Sequence, residues 1–131
     1  MQTVLVVDDS PIMRKMVLAS LAGMEGVRFE EAGSGLEALE RLALVRINLM
    51  ILDLNMPDMH GLEVLKFVRS HGAYKDTPII VLTTRGDEGS SSAAIGAGAS
   101  SYLTKPFLPQ VLAARAAELL NAGHKQPDVY R

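Results

Sequence analysis

Apolar residues fall along this chain in short dense runs, each closed by a polar residue, with stretches of helical spacing between them. Val4–Val7 is the first run, rich in β-branched residues and ending on Asp8 and Asp9. An apolar run without alternation predicts a strand covered on both faces. Ser10 then offers an N-cap oxygen, and Pro11 suits the first helical position, where its missing N–H is no loss. Met13, Met16, Val17 and Leu21 make one helical stripe behind it, and Gly23 supplies a stop.

The alternation repeats. Val27–Glu31 predicts a second, weaker strand, and Ser34 with Glu37 a capping box backed by Leu36, Leu39 and Ala43. Leu49–Leu52 predicts a third strand, ending at Asp53. After the turn Asn55-Met56-Pro57-Asp58, a helix presents Gly61, Val64, Leu65 and Val68. Ile79–Leu82 predicts a fourth strand, ending at Thr83, and Ser101–Thr104 a fifth, ending at Lys105-Pro106. The fourth helix falls on the Ser-, Ala- and Gly-rich stretch from Gly89 to Gly98, and each interior Gly weakens it by about 1 kcal/mol against Ala. Its only large apolar residue is Ile95, so it is expected to be the most mobile element. The last helix begins at Leu108-Pro109 without a polar cap and carries Val111, Leu112 and Leu119 inward. Strands alternating with helices in this way predict parallel βαβ units with right-handed crossovers, and helices on both faces of one sheet. The expected fold is a doubly wound α/β sandwich over residues 1–121, with 122–131 as a short tail.

Composition narrows the chemistry. At 131 residues, 48% of them hydrophobic and 21% charged, the chain fits one domain with a core of its own. It has no cysteine, which excludes disulfides, zinc-thiolate sites and thiol catalysis. His60, His71 and His124 lack metal-ligand spacing and read as surface residues. A formal charge of −2 gives no electrostatic reason to bind nucleic acid. No stretch approaches the ~20 apolar residues of a membrane span, so the cytoplasm is the expected location.

Open parallel sheets bind ligands beyond the carboxyl ends of their strands, where the strand order reverses. The polar outliers sit at those ends: Asp8 and Asp9 after the first strand, Asp53 after the third, Thr83 after the fourth, Lys105 after the fifth. In a 2-1-3-4-5 order, strands one and three flank the switch point, and three carboxylates share one pocket. Singly, each Asp reads as a turn or cap residue and the Lys as solvated. Their joint placement at four of five strand ends has no such explanation. Carboxylates this close repel one another, and a hard divalent cation such as Mg²⁺ is the natural compensation. Lys105 can pair with a carboxylate or with a phosphoryl oxygen. Asp53 is a competent nucleophile for an aspartyl phosphate, and the Thr83 hydroxyl a donor to it.

With these residues in place, the chain resembles the response-regulator receiver family from about Val4 to Leu120, in particular its single-domain, CheY-like members. The resemblance is carried by Val-Val-Asp-Asp at 6–9, Leu-Asp-Leu-Asn-Met-Pro at 52–57, Gly61, Leu-Thr at 82–83 and Tyr-Leu-Thr-Lys-Pro-Phe at 102–107. The 2-1-3-4-5 order leans on it too, because CheY is a type example of that flavodoxin-like (βα)5 order. The resemblance implies that Asp53 accepts a phosphoryl group from a sensor histidine kinase. It implies that Asp9, Asp53 and the backbone carbonyl of Asn55 ligate Mg²⁺, with Asp8 helping through water. Lys105, Thr83 and Thr84 would serve the phosphoryl group, and Thr83 and Tyr102 the switch. Lys105-Pro106 would be a cis peptide. Asn55 and Arg85, flanking the pocket mouth, would set the phosphate's lifetime. Output would pass to a downstream protein through the face of helix four, strand five and helix five, without direct DNA binding or membrane insertion. A monomer or weak dimer is expected.

Other readings compete. A haloacid-dehalogenase-type phosphatase also uses an aspartate nucleophile with Mg²⁺, but its Asp-x-Asp motif follows the first strand. A flavodoxin-type module needs a phosphate-cradling loop where Asp8-Asp9 would repel the phosphate. A receiver that has lost phosphorylation would not keep the full acidic set. Among receivers, a chemotaxis-type regulator, a phosphorelay intermediate and a fragment of a larger regulator or hybrid kinase all remain open.

Overall fold

Every apolar run becomes a strand, and every strand is followed by a helix: β1 (Gln2–Val7), α1 (Pro11–Leu21), β2 (Val27–Ala32), α2 (Gly35–Leu44), β3 (Leu49–Asp53), α3 (Gly61–Ser70), β4 (Ile79–Thr84), α4 (Glu88–Gly96), β5 (Ser101–Lys105) and α5 (Pro109–Lys125). The computed structural model describes residues 1–84 and 88–125, apart from the side chains at 88, 90 and 123–125. All strands are parallel, in the order β2-β1-β3-β4-β5. α5 runs on to Lys125, so the first residues of the expected tail are helical.

Successive side chains on a strand point to opposite faces, so a strand apolar throughout feeds two cores. Leu5, Val7, Met50, Leu52, Ile79 and Val81 pack beneath α2, α3 and α4. Val4, Val6, Leu49, Ile51, Ile80 and Leu82 pack beneath α1 and α5. The register sets Val6 opposite Ile51 and Ile51 opposite Ile80, so each core is continuous across the central strands.

The helix starts follow local chemistry. Ser10 accepts from the Met13 N–H at 3.2 Å with Pro11 in the first turn, and Ser34 accepts from the Glu37 N–H at 3.1 Å. Glu37 reaches past the N-cap residue to the Gly33 N–H at 2.5 Å, where a capping box was expected to return to Ser34. α3 shows the reciprocal arrangement. His60 Nδ1 accepts from the Leu62 N–H at 3.1 Å, while Glu63 accepts from the His60 N–H at 3.2 Å. His60 is therefore a cap, not a bystander. Gly61, Val64, Leu65 and Val68 are all buried, as their spacing predicts.

Three helix faces differ from expectation. α1 buries Val17 and Leu21 but leaves Met16 49% exposed. α2 buries Gly35, Ala38 and Leu42, whereas Leu36 is 64% exposed and Ala43 also faces solvent. α5 buries Leu112, Ala116 and Leu120, with Val111 and Leu119 at the margin. α2 and α5 thus each bury small residues and leucines together on the inward side.

Candidate functional site

Parallel strands bring all their carboxyl ends to one edge, and the register decides which residues meet there. Val7 lies opposite Leu52, so Asp8, one residue on, arrives beside Asp53. Asp53 is opposite Leu82, which puts Thr83 one step beyond the carboxylate, and Thr84 is opposite Lys105. The carboxylate oxygens of Asp8, Asp9 and Asp53 lie within 4.8 Å of one another. Asp8 and Asp53 are each only 2% exposed, while Asp9 faces solvent.

Lys105 closes this cluster from β5. Its Nζ donates to Asp53 Oδ1 at 3.0 Å and to Asp8 Oδ2 at 3.2 Å. The following Lys105–Pro106 peptide is cis. Burial raises the Asp53 carboxyl above its ordinary 3.8; the Lys105 hydrogen bond opposes this, and the charge of Asp8 adds to it. For Lys105, burial works to lower the ammonium, but the bond to and charge of Asp53, then those of Asp8, leave it raised above 10.5. Each partner thus holds the proton more firmly than it would in water, and the pocket is short of positive charge.

Backbone contacts hold the carboxylates in place. The Ser10 N–H donates to Asp8 Oδ1 at 2.9 Å, and the Asn55 N–H to the Asp53 carboxylate. Arg14, bonded to Glu31 at 2.9 Å, donates to the Asp8 carbonyl at 2.6 Å. Gly61 packs against the backbone of Asp53 and Leu54. Its N–H donates to the Leu54 carbonyl at 2.8 Å, and a Cβ there would stand 2.5 Å from the Asp53 carbonyl oxygen. No side chain fits without displacing the backbone of Asp53 and Leu54.

The remaining expected residues fall around this centre. Thr83 is buried, and its Oγ1 accepts from Ser91 Oγ of α4 at 3.3 Å. Thr84 is exposed at the mouth, where its Oγ1 accepts from Asn55 Nδ2 at 2.9 Å. Tyr102, on the outer strand β5, is 44% exposed. Arg85 lies outside the described residues.

Two contributors were not legible from sequence. Ser91 is one of three consecutive serines, and only burial distinguishes it. Asp58 reads as a turn residue, yet its carboxylate accepts from the Gly35 and Leu36 N–H groups of α2 at 3.1 and 3.2 Å. His60 did leave a signal, the Glu three positions on, although His is an uncommon cap.

Oxygen is the only donor type in the acidic cluster, which suits a hard divalent cation such as Mg²⁺ and not a soft metal. The shortage of positive charge beside Lys105 is a second reason that a cation fits there. Among the described residues, no helix is long and apolar enough to cross a membrane.

A profile of the response regulator receiver domain matches residues 4–117. A chemotaxis protein CheY homolog of Campylobacter jejuni is 40% identical over 120 residues, covering 91% of this chain and 92% of that protein. The structure of the chemotaxis protein CheY4 of Vibrio cholerae superposes with a TM-score of 0.81 at 39% identity, covering 91% of this chain and 98% of that one. The response regulator MprA of Mycobacterium ulcerans is 41% identical over 125 residues, covering 95% of this chain but 53% of that longer protein.

Proposed function

Since the chain belongs to the response regulator receiver domain family and is thus the receiver of a two-component response regulator, we propose that it is switched by phosphorylation of Asp53 with Mg²⁺ bound. The observation that carries this reading is the buried Asp53 carboxylate, bonded to Lys105 at 3.0 Å and grouped with Asp8 and Asp9 within 4.8 Å. Asp9, Asp53 and the Asn55 carbonyl would hold the cation, with Asp8 reaching it through water. Bound there, it would neutralise charge on the carboxylates and the incoming phosphoryl oxygens.

An Asp53 carboxylate oxygen attacks the phosphorus of a phosphohistidine on the sensor kinase. The new O–P bond forms as the P–N bond breaks, and the electron pair returns to the imidazole, which takes up a proton. Lys105 releases its hold on the carboxylate and donates to a phosphoryl oxygen. Thr83 exchanges Ser91 for another phosphoryl oxygen, and so links the chemistry to α4. Tyr102 follows by turning inward, which reshapes the face of α4, β5 and α5 for a downstream protein. Asn55, exposed at the mouth, and Arg85, two residues past Thr83 in sequence, set the lifetime of the acyl phosphate. Transfer rests on positioning and charge neutralisation.

The relatedness to chemotaxis proteins along nearly their whole length favours a regulator acting by protein contact. The match to MprA keeps a second reading, the receiver portion of a longer regulator. Incubation with acetyl phosphate and Mg²⁺, read by intact mass, tests the common core. The wild type is expected to gain one phosphoryl group and Asp53→Asn none. An unmodified wild type, or equal labelling of the variant, overturns the assignment.

A further inference from the structure

The Asn55 carbonyl differs from the other ligands proposed for the cation, because it is backbone. A side chain can be aimed by rotating; a backbone carbonyl is aimed only by holding its loop. The loop between β3 and α3 is closed at its ends by the Gly61 N–H donating to the Leu54 carbonyl at 2.8 Å. Between those ends it is fastened to other elements.

One fastening holds Asn55 itself, whose side-chain amide donates to Thr84 of β4 at 2.9 Å; the other is Asp58. Its Oδ1 accepts from the Gly35 N–H at 3.1 Å and its Oδ2 from the Leu36 N–H at 3.2 Å, so both oxygens are used on the first turn of α2. Those N–H groups have no partner within the helix, and they carry the positive end of its dipole. The bonds, that from Gly35 first, hold the Asp58 carboxyl below its ordinary 3.8, so it is ionised at neutral pH. Met59 sits over Gly35, where a Cβ would come within 2.7 Å of the Met59 Cβ; only glycine allows this approach. α2 already has its own cap, because Ser34 takes the Glu37 N–H at 3.1 Å. Asp58 therefore serves the loop it comes from as much as the helix it reaches.

We propose that Asp58 is a positioning residue for the cation site, clamping the β3–α3 loop to the start of α2 so that the Asn55 carbonyl is held toward Asp53 and Asp9. This rests on the ligand set proposed above.

Calorimetric titration of Mg²⁺ into the full chain, paired with thermal melts, separates positioning from mere stability. Asp58→Ala is expected to weaken Mg²⁺ binding ~10-fold, the lower end of what loss of a ligand-orienting contact costs. Asp58→Asn keeps one oxygen acceptor and is expected to recover part of that loss. Ser34→Ala removes the other cap from the same helix; it is expected to lower the melting temperature while leaving Mg²⁺ affinity as in the wild type. Asp58→Ala binding Mg²⁺ as tightly as the wild type overturns the positioning role, and so does Ser34→Ala weakening binding equally. A wild type that does not bind Mg²⁺ overturns the ligand set itself, and the positioning role with it.

Discussion

Burial, with the charge of Asp8, keeps the Asp53 carboxyl above its ordinary value even though Lys105 pulls it down. A raised folded pKa means that the folded state holds this proton to a higher pH than the unfolded chain does, so ionised Asp53 opposes folding. Without Mg²⁺, Asp53→Asn is therefore expected to raise the melting temperature at pH 7 by roughly a few degrees. That advantage shrinks as the pH falls through the folded pKa, and is gone below the unfolded value near 3.8. Melts of both proteins from pH 3 to pH 8 check it; a variant no more stable than the wild type at pH 7 contradicts the sign. The site residues legible in the sequence, Asp8, Asp9, Asp53, Thr83 and Lys105, share one property. Each lies at a strand end, and parallel pairing carries strand ends to one edge whatever the loops do. Ser91 and Asp58 depend on how a helix or loop docks, so no local pattern marks them.

Among the elements, α4 stands apart. Gly89 and Gly96 stand in its first and last turns. Among its described residues, the buried contributions are the small side chains of Ser91 and Ala94, while Ile95 is 46% exposed. The two ends of its region are held differently. Past its C-terminus, the Ala99 N–H returns to the Ala94 carbonyl at 2.9 Å. There Gly98, at φ +108, allows Arg69 to pack against it and donate to its carbonyl at 2.9 Å. The same guanidinium donates to the Thr77 and Lys75 carbonyls at 2.7 and 3.0 Å. Toward the N-terminus, the Ser91–Thr83 bond at 3.3 Å ties the helix to the hydroxyl proposed as the switch. Amide hydrogen exchange is expected to run at least ~10-fold faster in α4 than in α1, and to slow at Ala97, just past its C-terminus near the Arg69 brace. Protection equal to that of α1 removes α4 as the moving part. The stretch is visible in the sequence as Gly-, Ser- and Ala-rich, but the brace is not, because Arg69 lies on α3 and reads there as a surface charge. On α2 leucine alone does not mark the inward face: Leu42 is buried beside Ala38, while Leu36 and Leu44 are exposed.

For the molecule as a whole, one sheet divides the interior into two cores that share every central strand. Ile51→Ala, on the α1/α5 side, and Leu52→Ala, on the α2/α3/α4 side, are each expected to cost about 2–5 kcal/mol. Unfolding in urea should remain a single transition by circular dichroism and tyrosine fluorescence alike, since neither core can be lost without the strands of the other. Separate transitions for the two probes contradict that coupling. The strand order and two-sided burial were readable because unbroken apolar runs admit few other arrangements. Lys105 joins the two halves chemically as well, spanning Asp8 and Asp53 from the strand beyond β4. Its single positive charge against three carboxylates leaves the ionised cluster two charges in deficit, the charge of one divalent ion. With that ion in place the ledger stands at zero, and a phosphoryl group then adds about one negative charge that nothing in the resting pocket matches. On the proposed mechanism the message the domain transmits is, in these terms, one uncompensated charge, which the Thr83 hydroxyl, now bonded to Ser91, would turn to answer.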